Sequence, residues 1–195
     1  MYLSVLQNST LYMFLLRIDQ DLAAQAAESP CRFCGGKLDS ACFPRKPRGI
    51  PDDVDVGPEY RVRHSFCCRV EGCRRRHTPP SVRFLGSRVY LGIMVVLLTA
   101  MRQGPTPRGA RQLQATFGAS RRTLARWQQW WREEFPTTKF WQRVKGRFVP
   151  PITKAELPGI LPDRFEGEEL KDRIVRLLKC LAGLHCPQAM EALGF

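Results

Sequence analysis

Four of the eight cysteines stand in two close pairs, Cys31-x2-Cys34 and Cys68-x4-Cys73, with 33 residues between the pairs. Two thiolate pairs on separate turns can close a tetrahedron around zinc, with Zn–S bonds of about 2.3 Å. Gly35-Gly36 after the first pair and Gly72 within the second supply the tight turns that bring two sulfurs to one side. Arg32, Lys37, Arg69 and Arg74 lie nearby in sequence and would favour thiolate over thiol. Cys67 competes with Cys68, and His77, just past Cys73, is a substitute ligand. Adjacent strand residues face opposite ways, so only one of Cys67 and Cys68 reaches a metal easily. The tighter loop to Cys73 selects Cys68. The expected ligands are therefore Cys31, Cys34, Cys68 and Cys73. Four protein ligands leave no open position for water, so such a zinc ion is structural. The competing explanation is four unconnected buried thiols. Cys42, Cys180 and Cys186 read as ordinary small apolar residues.

The second chemical signal is charge. Residues 61–149 hold 19 Lys or Arg and only three acids, Glu71, Glu133 and Glu134, whereas the whole chain nets +13. Seventeen of those 19 are Arg. Such concentration points to a polyanion, and Arg grips phosphate and guanine edges through a planar fork. A generic basic surface from a GC-rich genome is the plainer explanation. The Arg74-Arg75-Arg76 run adds to the expected nucleic-acid contacts.

Several elements must position these groups. Residues 13–27 suit an amphipathic helix with Leu15, Ile18, Leu22 and Ala26 in phase, ended by Pro30. The twelve residues before it read as an unstructured arm or a start-site artefact, leaving Met1 and Met13 as alternative starts. Tyr60–Cys68 reads as one strand, with Tyr60, Val62, His64 and Phe66 on one face and Arg61, Arg63 and Ser65 on the other. Helices are expected over 88–102, 106–117, 120–134, 138–148 and 168–184, with a break at Pro150-Pro151. The fold class that follows is α+β, mostly α. A small zinc-ribbon-like β module (31–87) follows an N-terminal helix or arm (1–30). A trihelical helix-turn-helix domain (88–149) and a C-terminal helical extension (150–195) complete the chain.

Residues 108–131 carry the helix-turn-helix reading. Ala110, Leu113 and Phe117 form an inner face, Gly118 suits a left-handed corner and Ser120 suits an N-cap. Leu124, Trp127 and Trp131 make the next buried stripe, and Tyr90, Ile93, Met94, Leu97 and Leu98 would close the trihelical core. Arg122, Ala125, Arg126 and Gln129 fall on the opposite face, with Arg121 at the helix start. Arginine in a first helical turn opposes the helix dipole by roughly 0.3–1 kcal/mol each. It fits a helix whose N-terminal residues enter the major groove of double-stranded DNA. An ordinary helical hairpin is the alternative. Trp130 is expected to pack toward Phe140 and Trp141.

Other classes are disfavoured. The longest apolar run, Tyr90 to Met101, has 12 residues, short of the roughly 20 that a membrane helix needs. Tyr2–Leu16 is interrupted by Gln7, Asn8, Ser9 and Thr10 and lacks the basic start of a secretory signal. A cytoplasmic, nucleoid-associated location is the expectation. The 18 acids offer no carboxylate triad on a sheet, and no phosphate loop, nucleophile elbow or His-Glu-x-x-His occurs, so an enzyme is not expected.

Cys31-Arg-Phe-Cys-Gly-Gly, Ser65-Phe-Cys-Cys-Arg-Val-Glu-Gly-Cys-Arg-Arg-Arg and the following helix pair resemble the front end of bacterial insertion-sequence transposases. They look still more like small proteins encoded beside such elements, and the likeness covers about residues 31–135. It implies a zinc ribbon joined to a helix-turn-helix, binding DNA at element ends without a catalytic domain of its own. The alternatives are an assembly factor that docks a transposase or self-associates, and an RNA-binding zinc protein.

Overall fold

Asn8 opens the first helix: its side-chain oxygen accepts from the Thr10 amide at 2.9 Å. Helix α1 (Ser9–Glu28) then runs until Ser29 turns extended, ahead of Pro30. The computed structural model describes residues 5–45, 47, 50–84 and 106–184. The helix expected over 88–102, the third member of the trihelical core, and Cys186 lie outside those residues. Leu11, Leu15, Ile18 and Leu22 bury one stripe of α1. The expected N-terminal arm is corrected over residues 5–12. Leu6, Leu11 and Tyr12 are buried, and the Tyr12 hydroxyl donates to the Leu6 carbonyl at 2.7 Å. Large apolar side chains with a satisfied hydroxyl leave no reason for that segment to stay loose.

Two small antiparallel sheets follow. β1 (Leu38–Ser40) pairs with β4 (Phe66–Cys68), which pairs with β5 (Arg76–His77). The register sets Leu38 opposite Cys68 and Cys67 opposite Arg76. β2 (Phe43–Pro44) pairs with β3 (Val62–Arg63) in a separate sheet. The single strand expected over Tyr60–Cys68 is thus split. Glu59–Arg61 is a 3-10 turn, and His64-Ser65 separates β3 from β4. Arg63 and Ser65 are both buried. Arg63 donates to the Pro79 and His64 carbonyls, so its charge faces main-chain oxygens instead of water.

A buried ion pair anchors the start of this segment to α1. Asp19 sits within the apolar stripe of α1, and its Oδ2 is 2.7 Å from Nε of Arg83. Side-chain exposure is 0% for Arg83 and 1% for Asp19. Asp19 also accepts from the Ser81 hydroxyl and, at 2.8 Å, from the Val82 amide. Arg83 donates onward to the Tyr60 carbonyl at 2.7 Å and the Val62 carbonyl at 3.1 Å. The Tyr60 ring lies below the Arg83 guanidinium and edge-on to Tyr12, at 5.1 and 5.8 Å. One guanidinium therefore ties α1 to the 3-10 turn and the first residue of β3. Arg63 and Arg83 belong to the basic window but act inside the fold, so they contribute nothing to a DNA-facing surface.

In the helical half, α2 (Pro107–Phe117) is capped by Thr106, whose hydroxyl oxygen accepts from the Gly109 amide at 3.0 Å. Gly118 turns the corner at φ +63°, a left-handed conformation that a Cβ would strain. Ser120 caps α3 (Arg121–Gln129) by accepting from the Thr123 amide at 3.2 Å. Ala110, Leu113, Phe117 and Leu124 are buried between the two helices and their neighbours. The α-helical part of α3 stops short of the expected 134, and Trp130–Glu134 widens into a π turn. That widening lets Trp131 and Phe135 both turn inward, with ring centroids 4.3 Å apart. Trp127 is only half-buried. Trp130 packs on Trp131 and Phe135, and Phe135 carries the stack on to Phe140 and Trp141 of α4 (Lys139–Val144). Past Pro150 the chain is irregular until α5 (Leu170–Ala182), where Glu169 and Asp172 form a reciprocal cap. The apolar face of α5, including Ile174, Leu177, Leu178 and Leu181, is buried.

Helix outweighs strand, so the class is α+β with helix dominant. No helix among the described residues is long and apolar enough to cross a membrane.

Candidate functional site

The two cysteine loops meet face to face. In the first, the Gly35 amide donates to the Cys31 carbonyl at 2.7 Å and the Cys31 amide to the Gly36 carbonyl at 2.8 Å, with Gly35 at φ +73°. In the second, the Cys73 and Arg74 amides both donate to the Val70 carbonyl, and Gly72 takes φ +86°. Gly36 serves a different need. A Cβ there would lie 2.3 Å from Val70 Cγ2, so the loops approach this closely only because position 36 has no side chain.

The result is a cluster of Cys31, Cys34, Cys68 and Cys73 whose sulfurs all lie within 4.8 Å of one another. Cys34 and Cys68 are 3.4 Å apart, and Cys31 and Cys73 are 3.7 Å apart. A sulfur tetrahedron with zinc-like bonds of about 2.3 Å has edges of about 3.8 Å, so the cluster has the dimensions of a four-thiolate metal site. The four expected ligands are brought together. Cys67 is not among them: its thiol turns the other way and donates to the Arg74 carbonyl at 3.3 Å. Strand alternation made that distinction.

His77 stands beside the cluster rather than in it. Its Nε2 is 3.3 Å from Cys31 Sγ, within reach for a ring N–H there to donate to a thiolate. Burial raises the Cys31 thiol, but the Phe33 and Cys34 amides and the His77 ring outweigh it and bring it down to about 6. Burial pushes Cys68 up to about 12, with the neighbouring thiols adding to the rise. At Cys73 the Arg75 amide pulls downward, yet burial and the Cys34 and Cys31 thiols keep the group above its ordinary value. Four sulfurs this close cannot all ionise by themselves, and a divalent cation is what removes that conflict. The lowering at Cys31 comes from amides and an imidazole, not from the basic side chains the sequence suggested. Arg69 instead forks onto Asp39, at 2.6 Å for its closest contact. Replacing His77 by alanine is expected to speed metal loss to a chelator by about 10–100-fold with stoichiometry unchanged, as followed by a chromogenic chelator.

The other thiols divide. Cys180 is buried and burial raises it to about 12, as a small apolar residue should behave. Cys42 is exposed, 3.8 Å from His64 Nδ1, so its apolar reading is corrected. The short, irregular link between β1 and β2 has no interior to hide it in.

The expected nucleic-acid residues are surface residues. Arg121, Arg122, Arg126 and Gln129 are all exposed on α3, opposite buried Leu124. Among the described residues, none of those three arginines forms an ion pair. Gln129 is less free, because its amide donates to Glu133 at 2.9 Å. Arg74, Arg75 and Arg76 are exposed at the second cysteine loop. Arg76 is partly spent on the fold, donating to the Ala41 carbonyl and the Ser65 hydroxyl, both at 3.1 Å. Arg75 lies over the ring of Phe33, a residue the sequence reading did not single out.

No protein family, curated protein or solved structure matches this chain.

Proposed function

We propose that the protein is a zinc-stabilised DNA-binding protein that uses α2 and α3 as a helix-turn-helix and has no catalytic role of its own. Cys31, Cys34, Cys68 and Cys73 would hold the zinc ion, which supplies fixed geometry to the loops and no reactive water. The all-thiolate donor set at tetrahedral spacing suits zinc and disfavours hard, oxygen-seeking ions. Helix α3 would place its N-terminal turns in the major groove.

The observation that carries this reading is the set of three exposed, unpaired arginines on α3, two of them in its first turn. The helix dipole disfavours Arg121 and Arg122 where they stand, and nothing in the fold compensates them. Phosphates and guanine edges would. The resemblance of residues 31–135 to transposase front ends favours the ends of a mobile element as the target. The alternative of docking a protein through the Trp-rich helix is less favoured. Trp131 is buried and Trp130 packs on it and Phe135, so little of that aromatic surface is left to offer.

The test is duplex binding by the full metal-loaded chain across a salt series. Affinity should fall steeply with salt. Arg122→Ala and Arg126→Ala should each cost about 1–3 kcal/mol and relax sequence preference at the contacted base pair. Unchanged affinity in both variants by electrophoretic shift would remove α3 as the reading helix.

A further inference from the structure

We infer that the tip of the first cysteine loop is a second nucleic-acid site, which stacks an unpaired base of a single strand on Phe33. This goes beyond the duplex reading and does not rest on it. Phe33 lies between two cluster ligands, Cys31 and Cys34, and is 49% exposed. A large apolar ring left half in water on a tight, metal-dimensioned loop is costly to keep there, and no neighbouring element covers it. What surrounds it is cationic. The Arg32 guanidinium lies 4.9 Å and the Arg75 guanidinium 4.6 Å from the ring centroid. The two arginines come from different loops, so the cluster that joins Cys31 to Cys73 also brings Arg32 and Arg75 to one ring. Behind the ring, His77 packs edge-on at 5.6 Å and holds its orientation.

An aromatic face between two planar cations offers what a single strand needs. A base of any identity can take the place of one guanidinium over the ring, and the guanidinium that moves aside can extend the stack or take a flanking phosphate. A paired duplex has its base faces covered by neighbours and cannot use the ring. Asp39, which could have blocked phosphate approach on the same module, is already held by Arg69. The site thus selects strand state rather than sequence, and RNA and DNA single strands share the chemistry.

Fluorescence anisotropy of the full metal-loaded chain with labelled dT and rU homopolymers, beside a labelled duplex, tests the site. Phe33→Leu keeps an apolar side chain but loses the π face, and should weaken single-strand binding about tenfold. Phe33→Trp should restore it. Duplex affinity should be the same in all three, and metal content should stay at the wild-type value, which shows the loop intact. Arg122→Ala should do the reverse, weakening duplex and sparing single strands, so the two readings fail separately. Equal loss for dT and rU places recognition at the base face, and loss for one alone places it there with a sugar preference. Single strands bound equally by Phe33→Leu and wild type, or not bound by wild type, would overturn the proposal.

Discussion

Cys68→Ser is expected to abolish stoichiometric metal binding and unfold the β1–β4–β5 sheet. Cys68 is fully buried, pairs through its amide with the Arg75 carbonyl at 2.9 Å, and has its sulfur 3.4 Å from Cys34. Serine is close to cysteine in size but is not a soft donor. A three-stranded sheet of two or three residues per strand has little apolar area with which to offset the entropy of ordering two loops. Structural zinc sites supply about 10–16 kcal/mol to such modules, so its loss exceeds anything the sheet can replace. Native mass spectrometry should find one zinc ion in the wild type and none in Cys68→Ser, with loss of the module's amide-exchange protection. Cys67→Ser is the matched control. Its sulfur points away from the cluster, so it should keep its metal. A wild type without metal, or equal damage from both substitutions, would dismantle the site.

The second large effect concerns Asp19. Asp19→Ala leaves the Arg83 guanidinium buried without its counter-charge, and breaking a buried pair in this way costs about 3–5 kcal/mol. At about 2–4 °C per kcal/mol for a chain of this size, the melting temperature should drop by roughly 10 °C. Asp21→Ala, two residues along the same helix, removes the exposed pair with Arg17 at 3.3 Å and should cost less than about 1 kcal/mol. Thermal denaturation of both variants makes the comparison. Equal shifts would mean that burial of the Asp19–Arg83 pair carries no special weight.

Much of the metal site was legible because it is local. Two cysteine pairs with glycines in their turns define two loops, strand alternation admits only one of Cys67 and Cys68, and the tighter loop to Cys73 picks Cys68. The α2–α3 corner was legible for the same reason: Gly118 and Ser120 act on the backbone within a few bonds of where they stand. His77 illustrates the limit. Its position in the chain made it a candidate ligand, while the pairing of β5 with β4 placed it beside Cys31, within reach to donate. Asp19 left a signal too, an acid within the Leu15–Leu22 stripe, but its partner is 64 residues away.

Sequence by itself determined the cysteine loops, the helix pair and the solvent face of α3, since each depends on contacts within a turn or two of chain. Only the tertiary structure decided which arginines face water. Arg83 and Arg63 are drawn inside by Asp19 and by main-chain carbonyls, whereas Arg69 beside Asp39 and Arg75 over Phe33 stay exposed. A positive charge carries no label for inside or outside until a distant carboxylate, carbonyl or ring is brought within reach of it.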